Sequence, residues 1–155
     1  MSDRMAVTIT VPSWALDVPS VARLLKEDPA EDFIDNLDGT TGVFQSEAAW
    51  GEWPALESLL ITEGIAFDRH SDGKYEYDPE TRFFRPAAGD LPACDVVVLT
   101  LANGEPVVPL DTLKALAQAG PLTVDTITEA LGIPALSVAD WGIAHTPAQD
   151  AALPD

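Results

Sequence analysis

Residues 64–86 read GIAFDRHSDGKYEYDPETRFFRP, and the reading of this stretch decides the fold class. It holds three strand-like runs, Ile65–Arg69, Lys74–Asp78 and Thr81–Arg85, each rich in aromatic or β-branched residues. Asp72-Gly73 and Asp78-Pro79-Glu80 separate them with residues that favour reversal of the chain: glycine accepts positive φ and proline arrives with φ already fixed. The spacing predicts a β-meander. Upstream, Met5–Pro12 alternates Val7, Ile9 and Val11 with Thr8 and Thr10, the two-residue period of a half-buried strand. Downstream, Asp95–Leu101 is a buried-type strand that Asn103-Gly104 turns into the short run Pro106–Pro109, and Val43-Phe44 is short but strand-like.

Helical spacing fills the intervals. Val21, Leu24 and Leu25 follow Pro19; Leu56, Leu59 and Leu60 lie between Pro54 and Glu63, with Gly64 as the stop. Leu113, Leu116 and Ala117 follow Asp111, a candidate N-cap, up to Gly120-Pro121, and a further helix spans about Thr123 to Leu131 before Gly132. Between 28 and 38 the pattern also predicts a helix. Asp28 stands as N-cap with Pro29 behind it and Glu31 in capping-box position, while Ala30, Phe33, Ile34 and Leu37 repeat at i, i+3, i+4 and i+7. Runs of strand and helix that do not alternate as βαβ units predict an α+β fold: a mostly antiparallel sheet with four or five short helices. A single domain is expected over residues 1–143, followed by a flexible acidic tail over 144–155.

Charge narrows the function. The 155 residues carry 26 Asp and Glu against 8 Lys and Arg, a formal net charge of −18. A polyanion is bound by cations that displace its counterions, so direct binding of DNA or RNA is excluded as a reading. From Glu27 to Glu63 no Lys or Arg occurs, while Glu27, Asp28, Glu31, Asp32, Asp35, Asp38, Glu47, Glu52, Glu57 and Glu63 all do. On a helix, Glu27, Glu31 and Asp35 would repel at four-residue spacing, as would Asp28 and Asp32, at roughly 0.2–0.5 kcal/mol per pair. Such penalties, uncompensated by any lysine, point to a used acidic face. Half of the basic residues, Arg69, Lys74, Arg82 and Arg85, stand instead on the meander, where cross-strand ion pairs account for them.

Other chemistry is thin. Asp68, His70 and Asp72 could serve as a general base or ligand cluster, but the second histidine, His145, lies far along the chain, and one cysteine, Cys94, completes no zinc set. Asp95 beside Cys94 disfavours a thiolate. No cofactor fingerprint, metal set or catalytic residue is assigned. Trp50 and Trp53, flanking Gly51-Glu52, suit either the core or an interface anchor. No apolar run reaches about 18 residues, and the first residues lack the order of a secretory signal, which points to a cytoplasmic protein without a membrane partner.

Two stretches carry resemblances. Leu122–Trp141 resembles a helix-turn-helix, with Ile127, Leu131, Gly132, Ile133, Val138 and Trp141 where that motif places its apolar residues and turn glycine. It departs from the motif at Thr128 and Pro134, and the run Ala135–Asp140 holds an acid and no base, so the resemblance implies packing or a protein partner. The run from Gly64 to Tyr77, within the wider segment 51–86, resembles small uncharacterised acidic proteins of bacterial plasmids, phages and integrating elements. That resemblance implies a setting that includes anti-CRISPR and anti-restriction inhibitors. The expected function is a non-enzymatic nucleic-acid mimic whose carboxylates occupy a basic site on a nucleic-acid-binding complex or nuclease. Its partner-binding residues are expected to be Glu27, Asp28, Glu31, Asp32, Asp35 and Asp38, then Glu52 and Glu57, with Trp50 or Trp53 as anchor. An antitoxin or immunity protein against a basic toxin is the alternative, and a small enzyme built on Asp68, His70 and Asp72 is a third.

Overall fold

A computed structural model describes residues 4–74 and 77–147. The fold is α+β, built on one six-stranded antiparallel sheet. Strand β1 (Arg4–Pro12) is followed by a 3-10 turn (Ser13–Asp17), helix α1 (Pro19–Glu27) and strands β2 (Asp32–Asp35) and β3 (Thr40–Ala49). Helix α2 (Pro54–Thr62) then leads into β4 (Phe67–Ser71), β5 (Glu80–Arg85) and β6 (Cys94–Leu99). Helices α3 (Leu110–Ala119), α4 (Val124–Leu131) and α5 (Val138–Ala144) complete the order. Across the sheet the strands run β2-β3-β1-β4-β5-β6, so the first strand of the chain lies inside and β2 closes one edge.

The alternation in β1 sets the layers. Val7, Ile9 and Val11 are sealed on one face, in register with Val43 of β3 and with Arg69 and Ser71 of β4. This face joins Phe67 and Phe84 with Val21 of α1, Trp53 at the N-cap of α2, and Leu56 and Leu60 of α2 in one core. Each fully buried aliphatic side chain here contributes about 1.5–3 kcal/mol. The opposite face carries Thr8, Asp68, His70, Phe83 and Cys94 by register. The α4–α5 connection lies against it: the Gly132 carbonyl accepts from Cys94 Sγ at 3.3 Å and the Leu136 carbonyl from Arg85 Nε at 2.9 Å.

Two expectations are corrected. The run 28–38 is not a helix: it crosses Pro29 into the edge strand β2 and returns through residues 36–39 into β3. Leu37 (φ 62°) and Gly39 (φ 90°) make that reversal, and the Asp35 and Asp38 carboxylates accept the N–H groups of Leu37 and Thr40. The helix would have stacked like charges with nothing to offset them, whereas the free edge of β3 offers ladder hydrogen bonds and sends alternate residues to opposite faces. Likewise, Lys74–Asp78 is not the middle strand of the meander. Lys74 and Tyr77 form a two-bond bridge within the β4–β5 connection. Both edges of β4 are taken, by β1 and β5, so no ladder is left for that run. The meander is β4-β5-β6 instead.

The helical spacing near the C-terminus is realised as three helices. Thr123 and Thr126 cap α4 reciprocally, and Gly132 ends it in the left-handed conformation. Helix α5 packs against the end of β1, Trp14 and Trp141 stack at 6.0 Å, and Trp14 Nε1 donates to the Gly142 carbonyl at 3.1 Å. His145, expected in the tail, is the C-cap of α5 and stacks on Trp141 at 4.6 Å. The remainder of the expected tail, 148–155, lies outside the described residues. Among the described residues no helix is long and apolar enough to cross a membrane.

Gly142 is where helix and strand touch most closely, since a Cβ there would stand 2.9 Å from the Pro12 Cβ. Gly142→Ala is therefore expected to destabilise the fold by about 1–3 kcal/mol despite alanine's higher helix propensity. Urea denaturation followed by tryptophan fluorescence measures it, with a stability gain as the contrary result.

Candidate interaction surface

The β2–β3 hairpin turns the acidic run outward. Glu27, Asp28, Glu31, Asp32, Asp35 and Asp38 are all exposed, as is every residue from Glu31 to Gly39. Their arrangement differs from a helical ridge. Register places Asp32 and Ile34 on one face of the sheet and Phe33 and Asp35 on the other, so the carboxylates rim an edge from both sides. Several also hold local structure. Asp28 Oδ2 accepts from Trp53 Nε1 at 2.9 Å, and Glu31 Oε1 accepts from Ser46 Oγ at 2.8 Å. Asp32 Oδ1 takes the Phe33 N–H at 2.9 Å. Between the acids stand exposed apolar side chains, Phe33 at 50%, Ile34 at 43% and Leu37 at 89%. An edge strand bearing both kinds of group can accept another segment of chain, whereas acids alone would only keep the edge in water.

The secondary candidates part company from this edge. Glu57 is 3% exposed, which removes it from any contact surface; Trp53 is 4% exposed and belongs to the core. Trp50 remains 47% exposed with φ 60° and meets Tyr77 edge-on at 5.5 Å. Glu52 is exposed and lines, with Ser58, Arg82 and Asp95, a cleft of about 340 Å³.

Glu57 instead organises a buried network that the sequence reading missed. Arg69 of β4 and Arg82 of β5 are direct cross-strand partners, a like-charged pair on the core side of the sheet. One oxygen of Glu57 joins them, 3.1 Å from Arg69 Nε and 3.0 Å from Arg82 Nη1, while the other accepts the Trp53 N–H at 2.7 Å. Arg69 Nη1 further donates to Ser71 Oγ and Glu80, and Arg82 grips Asp95 of β6 through two bonds of 2.8 Å. The signal that could have found it is the pairing of two arginines in facing strand runs, which calls for a carboxylate between them. Cross-strand ion pairing is present at Arg82, which binds Asp95 of β6 and also Glu57 from α2. Arg85 pairs with Asp68 at 2.8 Å.

Charge in this network is tuned by its neighbours. Hydrogen bonds from Arg82 hold the Asp95 carboxyl below the ordinary carboxylate range. Burial raises Asp68, with Arg85 opposing. A carboxyl depressed in the folded state stabilises above its unfolded pKa, and this contribution disappears as pH falls through the folded value. Asp95→Asn is thus expected to lose about 0.5–1 kcal/mol at neutral pH, a size typical of a partly exposed pair. The difference from wild type should shrink as acidification passes the ordinary carboxylate range, read from denaturation midpoints across a pH series; a gap that stays constant with pH contradicts it. For Glu57→Gln, which removes the buried carboxylate shared by Arg69 and Arg82 and leaves Arg69 only the partly exposed Glu80 as a counter-charge, a loss of about 3–5 kcal/mol is expected in the same assay, against under about 1 kcal/mol if the pair were inconsequential.

The alternative chemical centres are already engaged. His70 Nδ1 lies 3.0 Å from Thr81 Oγ1 and Nε2 lies 3.0 Å from the Ala102 carbonyl, with Asp72 at 3.4 Å, while Asp68 is bound to Arg85. No group of three or more His, Cys, Asp or Glu that could hold a metal occurs among the described residues. Burial pushes the Cys94 thiol up, away from thiolate reactivity, with Arg85 opposing and Asp95 adding to the rise. Near it a cleft of about 410 Å³, walled by Pro92, Val96, Ile133 and Leu136, marks the seam between sheet and α4–α5 connection.

No family model, curated protein or solved structure matches the chain.

Proposed function

We propose that this chain is a non-enzymatic interaction protein whose acidic edge, residues 27–38, occupies a basic site on a nucleic-acid-binding protein, in the manner of anti-restriction and anti-CRISPR inhibitors. The observation that carries this reading is the density of exposed carboxylates: Glu27, Asp28, Glu31, Asp32, Asp35 and Asp38 lie within one short segment that has no lysine or arginine. Three of the eight basic residues, Arg69, Arg82 and Arg85, are paired with carboxylates of the sheet and α2. The net charge of −18 thus acts outward, attracting cationic grooves and repelling nucleic acid. Carboxylates arrayed along a strand edge can take the contacts that phosphates would make and so compete for the groove.

The acids themselves carry the test. With the partner recovered by co-purification from a bacterial host, Asp32→Lys combined with Asp35→Lys is expected to cut retention by about tenfold or more. Wild-type retention should fall with added salt and with added duplex DNA. Retention indifferent to charge reversal, salt and DNA reduces the acidic edge to a solubility device.

A further inference from the structure

We infer that the partner engages this edge by strand addition, its occupant being an extended, lysine- or arginine-bearing segment that pairs with β2. The inference rests on the proposed function only for the sign of the partner's charge; the mode of contact comes from the backbone. Strand β2 is the last in the sheet order, and the Asn36 N–H donates to the Thr40 carbonyl at 3.1 Å. That bond fixes the alternation of the antiparallel ladder: Asp32, Ile34 and Asn36 turn their peptide groups toward β3, and Phe33 and Asp35 turn theirs away from the sheet. The Phe33 N–H is held by the Asp32 carboxylate, which leaves the Phe33 carbonyl and both peptide groups of Asp35 as the open ladder positions. The opposite edge of the sheet is less available, because the Val107 N–H already donates to the Leu99 carbonyl at 2.9 Å and Pro106 bridges Thr100.

Side chains select the occupant. Phe33 and Ile34 are half-exposed on opposite faces of β2, so an added strand would cover apolar surface on both sides while its backbone completes the ladder. A second copy of this chain is disfavoured: it would bring its own Glu31, Asp32, Asp35 and Asp38 to the same edge, adding like charge to an uncompensated acidic rim. A neutral strand would find Glu31, Asp32, Asp35 and Asp38 uncompensated. A cationic strand places its charges opposite them and releases the Phe33 N–H by drawing the Asp32 carboxylate to itself. The acids therefore act as a filter on an otherwise sticky edge.

Two synthetic peptides of equal length and charge test this on the full chain at low salt. One alternates lysine with valine and the other lysine with proline, whose ring cannot complete a ladder. Fluorescence anisotropy is expected to show the lysine–valine peptide binding about tenfold more tightly, and amide exchange at Asp35 should slow when it binds. Asp35→Pro, which deletes an outward N–H, should weaken this binding about tenfold beyond Asp35→Ala, which deletes only the charge. The exchange measurement on wild type stands even if the proline variant does not fold. Equal, salt-sensitive binding of both peptides with unaltered Asp35 exchange overturns strand addition while sparing the acidic-surface reading; failure of both to bind overturns the two together.

Discussion

Two guanidinium groups face each other across β4 and β5 on the side of the sheet that must be buried, and one carboxylate reconciles them. Arg69 and Arg82 in direct register would repel in a medium far less polar than water. Glu57 enters from α2, binds both, and spends its second oxygen on the N–H of Trp53 at the start of its own helix. The helix is thereby tied to the sheet at a defined point as well as by Leu56 and Leu60. The β3–α2 turn closes the arrangement: Gly51 (φ 64°) leaves room for Met5 and Ser71, and its carbonyl accepts from both Ser71 Oγ and Arg69. Such a buried network specifies where α2 sits more than it adds net stability, because desolvation of each charge offsets most of the attraction.

This interior use of cations shapes the exterior. Three of the eight basic residues are committed to carboxylates at or under the sheet, and none of the other five lies within the 27–38 segment, whose nearest cation by sequence is Lys26 at its border. The acids there have two duties. Asp28, Asp35 and Asp38 accept hydrogen bonds that hold the strand and its turn, and their charge still reaches solvent because each remains exposed. A rim of negative charge around Phe33, Ile34 and Leu37 keeps a hydrophobic edge from pairing indiscriminately.

The periodic segments were legible without coordinates. The alternation of Val7, Ile9 and Val11 and the Leu56–Leu60 spacing correspond to β1 and α2, because each records burial against one surface at a fixed repeat, and the Gly132 stop corresponds to the end of α4, because glycine accepts the left-handed conformation there. The segment 28–38 was ambiguous for a physical reason. Phe33 and Ile34 fit a helical stripe, but they fit an alternating strand equally well over four residues, and Asp28-Pro29 begins a turn as readily as a helix.

What the sequence by itself determined is charge, local period and turn chemistry: an α+β chain with an acid-rich, base-free stretch that has to face water. What only the tertiary structure decided is where those charges lie relative to one another. Glu57 and Glu52 are nearly adjacent in sequence, yet one is sealed between two arginines and the other is exposed. Whether an acid is a structural ion or a contact group depends on which distant strand its element packs against, and that non-local pairing leaves no mark on the neighbouring residues.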